Sequence, residues 1–400
     1  MMFSDRQPHD GPLVSVVMAN FQAGDKIVPA LQSVLGQTMA DLEVIVSDDA
    51  SQDHSMALVR ALAKDDARVR LIESQTNGGP AACRNRALDA ARGSWIAVVD
   101  SDDIIHPERL ERLLEVARRD DLDIVADDLL LFHEDGSPPR LMLGAEAGAS
   151  FSVSPVRWVL AGVDGSSPLG YLKPIIRADR LKKQRYDEAL RIGEDYDFIL
   201  RLLLDGARMT VVPEPFYLYR RHSASISHRL SRSDMRSMVE RQLALSVAHE
   251  PLSPELSAAF ARRLAVLREG LAYEELVASI KQRQAPQALG QLVRDPKLVR
   301  RLWASFIEGR QRRGSEKTQE QQSTTIVLGG QGNAGAGQHV PDYVPTHLVD
   351  WSLPRPRGVW QDLAIHAGAD CIALDQAGRY AAGFIPEVRL EARNAAMEVS

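Results

Sequence analysis

The strongest constraint on this chain is an alternation within its first 125 or so residues. Short apolar runs are each followed by a stretch whose apolar residues recur at helical spacing. Leu13–Ala19 (LVSVVMA) reads as a buried strand, and Ile27, Leu31, Val34 and Leu35 after it lie on one helix face. Leu42–Ser47 is a second strand, followed by Ser51 and Asp53, which offer N-cap chemistry ahead of Met56, Val59 and Leu62. Val69–Ser74 is a third, followed by a glycine loop and a helix whose end falls near Gly93, read as a C′ glycine. Trp95–Val99 is a fourth, after which Pro107 opens a helix with Leu110, Leu113, Leu114 and Ala117 on one face. Strands and helices of these lengths in alternation predict an α/β domain around a mainly parallel sheet. Such sheets bind ligands beyond the carboxyl ends of their strands.

The remainder divides by composition. Residues 126–225 are mixed, with a helical GEDYDFILRLLLDGA and a strand-like MTVVPEPFYLYRRH, and from 230 to 313 the chain reads as helical. Residues 314–340 are polar and rich in glycine and glutamine, as in a flexible linker. The expected organisation is a disordered N-terminus (1–12), a nucleotide-binding α/β domain (13–229), a helical region (230–313), the linker, and a small segment of unknown role (341–400).

With 44% apolar and 26% charged residues, the chain can bury a sizeable core. A net charge of −6 gives no electrostatic reason to expect nucleic-acid binding. Only Cys83 and Cys371 are present, so no disulfide framework is expected. No secretory leader or membrane-length apolar run is seen, which predicts a cytoplasmic protein. Basic residues Arg294, Lys297, Arg300 and Arg301 beside apolar positions allow peripheral contact with the inner membrane's cytosolic face, or simply a solvated helix.

Acidic residues collect where the predicted strands end. Asp48 and Asp49 follow the second strand, and Asp100, Asp102 and Asp103 follow the fourth, so both groups are expected at one crevice. Each has an ordinary reading as turn or capping chemistry. The functional reading of a D-x-D pair is a hard divalent cation held by one or two carboxylates plus substrate phosphates. Asn77–Ala87 (NGGPAACRNRA) matches neither a P-loop nor a dinucleotide fingerprint. Its glycines are either a structural loop or backbone donors for an anion, with Arg84 adding charge. Glu194 and Asp195 open a helix, as first-turn acids meeting its dipole or as a general base. Arg220, Arg221 and His222 are phosphate ligands or surface.

Taken in order, SVVMANFQ, DLEVIVSDDASQD, NGGPAACRNRAL, GSWIAVVDSDD, GEDYDFILRLL and YRRH resemble the family 2 glycosyltransferases over residues 13 to 225. The resemblance implies the GT-A fold and an inverting transfer from a UDP-sugar. It assigns Asp48 and Asp49 to the uracil and ribose, and Arg84 with Asn85 to the nucleotide or donor. Asp100 would touch ribose or sugar, Asp102 would bind Mg²⁺ or Mn²⁺ on the diphosphate, and Asp103 would support them. Asp195 becomes the catalytic base with Glu194 beside it, while His222, grouped with the metal ligands, and Arg221 close over the diphosphate. The family's P-x-Y-N turn is replaced by Ala19, Asn20, Phe21 and Gln22, in which Gln22 keeps an amide for the base. GYLKPIIRADRL (Gly170–Leu181) further resembles members that build bacterial exopolysaccharide, implying a saccharide or lipid-linked acceptor. The alternatives are a sugar nucleotidyltransferase, whose glycine-rich loop is missing after the first strand, and a catalytically weak nucleotide-sugar-binding subunit.

Overall fold

A computed structural model describes residues 11–133, 140–143, 149–182, 184–221, 231–300 and 302–303, together with three short strands at 324–328, 369–374 and 390–392. The alternation becomes β1 (Val14–Asn20), α1 (Ile27–Leu35), β2 (Leu42–Asp48), α2 (Ser55–Asp65), β3 (Val69–Glu73), α3 (Gly79–Ala90) and β4 (Trp95–Val98). A two-residue β5 (Ile104–Ile105) and α4 (Arg109–Arg119) follow. β1 is flanked in parallel by β2 and β4, and β2 by β3. Val14, Val16, Val17 and Met18 of β1 are completely buried. A strand covered on both faces has no solvated side, which is why it reads as one continuous apolar run. Burying each such side chain contributes roughly 1.5–3 kcal/mol.

The second half of the sheet is mixed. β6 (Ile124–His133), β7 (Arg140–Leu141), β8 (Phe151–Val153), α5 (Pro155–Leu160), β9 (Ile175–Arg177), α6 (Ala178–Leu181), α7 (Glu194–Leu204) and β10 (Met209–Arg221) complete it. The strand order is β3-β2-β1-β4-β9-β6-β10-β5, with β7 against β6 and β8 against β10. β9 runs antiparallel between β4 and β6, while β10 is parallel to β6. Inserting β9 there carries the loop before it, with Lys173, to the end of β4. Beyond the sheet come α8 (Arg232–Ala248), α9 (Pro254–Lys281) and α10 (Ala285–Arg294). Ser231 and Asp234 form a reciprocal capping box at the start of α8. Leu245, Ala259 and Phe260 belong to the same buried cluster as the sheet. β11 (Thr324–Leu328), β12 (Ala369–Leu374) and β13 (Leu390–Ala392) pair in parallel as a separate sheet.

Two local expectations change. Gly93 is not a C′ glycine, because α3 ends at Ala90 with Ala91 as its cap. Gly93 is required by close approach: a Cβ there would stand 2.4 Å from the backbone nitrogen of Ser15 on β1. The expected cap of α2 is also shifted. His54 takes the N-cap position without a side-chain bond, and Asp53 Oδ1 accepts the backbone N–H of Ser55 instead.

Candidate active site

The parallel register of β1 and β2 sets Asn20 beside Asp48 at their carboxyl ends. Asn20 Nδ2 donates to Asp48 Oδ1 at 2.8 Å, and the backbone N–H of Ser51 donates to Asp48 Oδ2 at 2.9 Å. Asp48 is buried under the turn after β1, where Phe21 and Gln22 are exposed. Gln22 adopts φ +52 and its backbone N–H donates to Ser51 Oγ.

The glycine loop does present backbone donors to an anion, but the anion belongs to the chain. Asp49 accepts from the N–H of Gly78 (3.0 Å) and of Gly79 (2.8 Å), and from Arg86 Nη2 (2.9 Å). Gly79 has φ +83, a conformation that a residue with a Cβ rarely adopts. A carboxylate this deeply buried needs several donors to offset its lost hydration, and the loop supplies them. Asp49 therefore anchors the start of α3, which carries Arg84.

Arg84, only 5% exposed, reaches from α3 into the crevice. Its Nη1 lies 2.8 Å from Glu194 Oε1 and 3.5 Å from Asp195 Oδ1, and its Nη2 lies 2.9 Å from Asp100 Oδ1. Lys173 completes the arrangement, with Nζ 2.8 Å from Asp100 Oδ2 and 3.0 Å from Asp195 Oδ2. Two cations and three carboxylates thus share one buried cluster, drawn from α3, the end of β4, the loop before β9 and the first turn of α7. Gly193 makes that last turn possible by taking the left-handed conformation, φ +86, at the N-cap.

For Arg84, Asp100, Lys173 and Glu194 burial opposes charge, and the neighbours decide the outcome. For Asp100 burial pushes the carboxyl upward, but Lys173 and Arg84 outweigh it and hold the group well below the usual carboxylate range. Lys173 and Arg84 are in turn raised, burial being overcome by Asp100 and Asp195. Glu194 goes the other way: burial and the adjacent Asp195 charge raise it, against the pull of Arg84. Asp103 is raised well above its ordinary value by burial and by Asp102 and Asp100. Its oxygens accept from Tyr217 Oη and the backbone N–H of Arg220, each at 2.8 Å.

Arg220 also donates through Nε to the backbone carbonyl of Asp102 at 2.7 Å, so it braces the acidic turn. Asp102 is partly exposed. Arg221 packs against Tyr171 and Tyr219, its guanidinium carbon 5.8 and 5.9 Å from their ring centres. His222 lies outside the described residues. Asn85 is taken up elsewhere, since its amide bonds the backbone of Tyr186 in both directions and Glu188 Oε1.

Arg84, Asp100, Glu194 and Asp195 therefore come together, whereas Asp49 and Asn85 hold the scaffold around them. Lys173 was missed from the sequence. Its signal was a single lysine inside the apolar LKPII, because a lysine in a buried run requires an anionic partner. Among the described residues no group of three or more His, Cys, Asp or Glu could hold a metal. The acidic turn presents one partly exposed carboxylate, Asp102, the type of oxygen donor that a hard divalent cation takes together with substrate phosphates and water. Among the described residues no helix is long and apolar enough to cross a membrane.

The profile of Glycosyl transferase family 2 matches residues 15–153. The chain is similar to the succinoglycan biosynthesis protein ExoO of Rhizobium meliloti, at 36% identity over 297 residues, covering 73% of this chain and 84% of that one. A second succinoglycan biosynthesis protein of that organism, ExoU, is 32% identical over 269 residues, 64% of this chain and 75% of its own. The fold is similar to that of S. aureus TarS 1-349 solved in complex with UDP-GlcNAc, with TM-score 0.54 and 22% identity over 70% of this chain and 79% of that one.

Proposed function

This chain belongs to glycosyl transferase family 2, and from that premise we propose that it moves a sugar from a UDP-sugar to a saccharide acceptor in exopolysaccharide synthesis, with inversion at the anomeric carbon. The fold is of the GT-A type and the chain is a glycosyltransferase. The observation that carries the finer reading is the position of Asp195, 3.0 Å from a lysine that also bonds Asp100 at the end of β4. The acceptor class is suggested by the succinoglycan proteins, and the uridine nucleotide by the ligand of the TarS complex.

The acceptor hydroxyl is a weak nucleophile. Asp195 takes its proton as the oxygen attacks C1, a contribution of about 10²–10⁴-fold. The new C1–O bond forms as the bond from C1 to the diphosphate oxygen breaks, and the electron pair leaves with UDP. Lys173 and Arg84 hold the Asp195 carboxylate from one side, leaving it aimed from the first turn of α7. Asp100 keeps Lys173 and Arg84 in register, and Glu194 steadies Arg84. Asp48 and the turn at Phe21 and Gln22 line the place for the base and ribose. A Mg²⁺ or Mn²⁺ at Asp102 would neutralise the diphosphate when bound.

The test is UDP release from a panel of UDP-sugars with saccharide and lipid-linked acceptors. Asp195→Asn should lower kcat by about 10²-fold or more while UDP still binds. Normal turnover by that variant would remove Asp195 as the base. Native protein that binds UDP tightly and transfers nothing would favour a binding subunit instead. Asp102→Ala should raise the Mn²⁺ or Mg²⁺ concentration needed for activation, and an unchanged dependence would remove that assignment.

A further inference from the structure

The last described helices carry a surface that the transfer chemistry does not use. α9 returns antiparallel along α8, with Arg236 near the start of α8 bonded to Glu275 near the end of α9 at 3.1 Å. The start of α8 is level with the catalytic turn, because Met238 faces Gly193 and Met235 faces Gly270 on α9. α10 and the helical segment at 297–300 pack onto the end of α9 through a small core of Leu276, Ala288 and Leu298. They therefore sit at the same end of the molecule as the Glu194–Asp195 turn.

Their inner side makes that core and their outer side is apolar as well. Leu289 is 64% exposed, Val293 73%, Val299 51% and Trp303 67%. Leu289 and Val293 are one helical turn apart and share a face. Around them Lys281, Arg283, Arg294, Lys297 and Arg300 are all exposed, and Asp295 is the one acidic residue between 281 and 300. The chain as a whole carries −6, so this concentration of cations runs against its overall charge.

We propose that this face, from α10 to Trp303, docks on an anionic lipid bilayer. Exposed apolar side chains on these helices can enter the acyl boundary of a membrane. Lysine and arginine beside them meet the negative headgroups, and tryptophan favours that interfacial depth. Docking in this way turns the end of the molecule that carries Asp195 toward the bilayer. A saccharide acceptor held on a lipid would then be presented to the base by two-dimensional encounter. The docking face stands on its own residues, whereas this use of it rests on the proposed glycosyl transfer.

The experiment is co-sedimentation of the full chain with phosphatidylcholine vesicles, with and without about 30 mol% phosphatidylglycerol. The native protein should bind the anionic vesicles, be largely released by about 0.5 M salt, and ignore pure phosphatidylcholine. The pair Leu289→Ser and Val293→Ser, and separately the set Arg294→Gln, Lys297→Gln and Arg300→Gln, should each weaken binding by about tenfold or more. These positions are exposed, so both variants should retain native UDP release with a water-soluble acceptor. Failure of the native chain to bind, equal binding to neutral vesicles, or undiminished binding by either variant would overturn the proposal. So would a native dimer that dissociates in the Leu289→Ser, Val293→Ser pair, since a second copy would then be the occupant. Vesicle binding without sugar transfer would keep the docking face and remove the functional reading; transfer in solution without vesicle binding would do the reverse.

Discussion

Lys173 and Asp195 are 22 residues apart in the chain, yet their charged atoms lie 3.0 Å apart in the fold. The same ammonium bonds Asp100, so one lysine ties the loop before β9, the end of β4 and the start of α7 into a single buried cluster.

Replacing Lys173 by methionine should leave Arg84 as the remaining cation, among the described residues, bonded to Asp100 and Asp195. We expect kcat to fall by about 10²–10³-fold, the scale of removing one preorganised electrostatic group. Steady-state UDP release measures it, and a variant within a few-fold of native would show that the lysine acts on structure only.

Arg109 and Asp127 are both fully buried and bonded at 2.7 Å, and Arg109 also donates to the backbone carbonyl of Lys173. Arg109→Met strands a buried carboxylate and should cost about 3–5 kcal/mol in denaturant unfolding. Adding Asp127→Leu should recover most of that stability. It should not recover activity, because the brace on Lys173 remains absent, and full recovery of kcat in the double variant would contradict this.

Asp49→Ala removes the acceptor of two glycine N–H groups and of Arg86. The expected loss is about 2–4 kcal/mol of stability, with weaker donor binding as the start of α3 loosens. Undiminished stability with lost UDP affinity would instead make Asp49 a direct ligand of the nucleotide.

Glu43 supplies the pH signal. Burial raises its carboxyl, but bonds from Arg92, Ser15 and Arg70 outweigh it and lower the group from 4.5 to about 2. A depressed carboxylate contributes stability that is fully present above the unfolded value and lost as pH falls through the folded one. The stability gap between native and Glu43→Gln protein should therefore be constant above pH 4.5 and close between 4.5 and about 2. Urea unfolding at several pH values measures it, and a gap that widens on acidification would contradict the assignment.

The sequence by itself determined the α/β alternation, because an apolar run between polar turns has few other ways to bury itself. It also determined which strand and helix ends carry acids, since Asp48 ends β2, Asp100 follows β4 and Asp195 lies in the first turn of α7. Only the tertiary structure decided how those acids are used. Asp48 and Asp49 are adjacent in sequence, yet one lies under the turn at Gln22 and the other is enclosed by Gly78 and Gly79. The antiparallel insertion of β9 brought Lys173 to Asp100, and no local pattern encodes that neighbour. Strand propensity and hydrophobic period are local properties of the chain, whereas the partner of a buried charge is set by long-range pairing, where an unmatched charge would cost several kcal/mol.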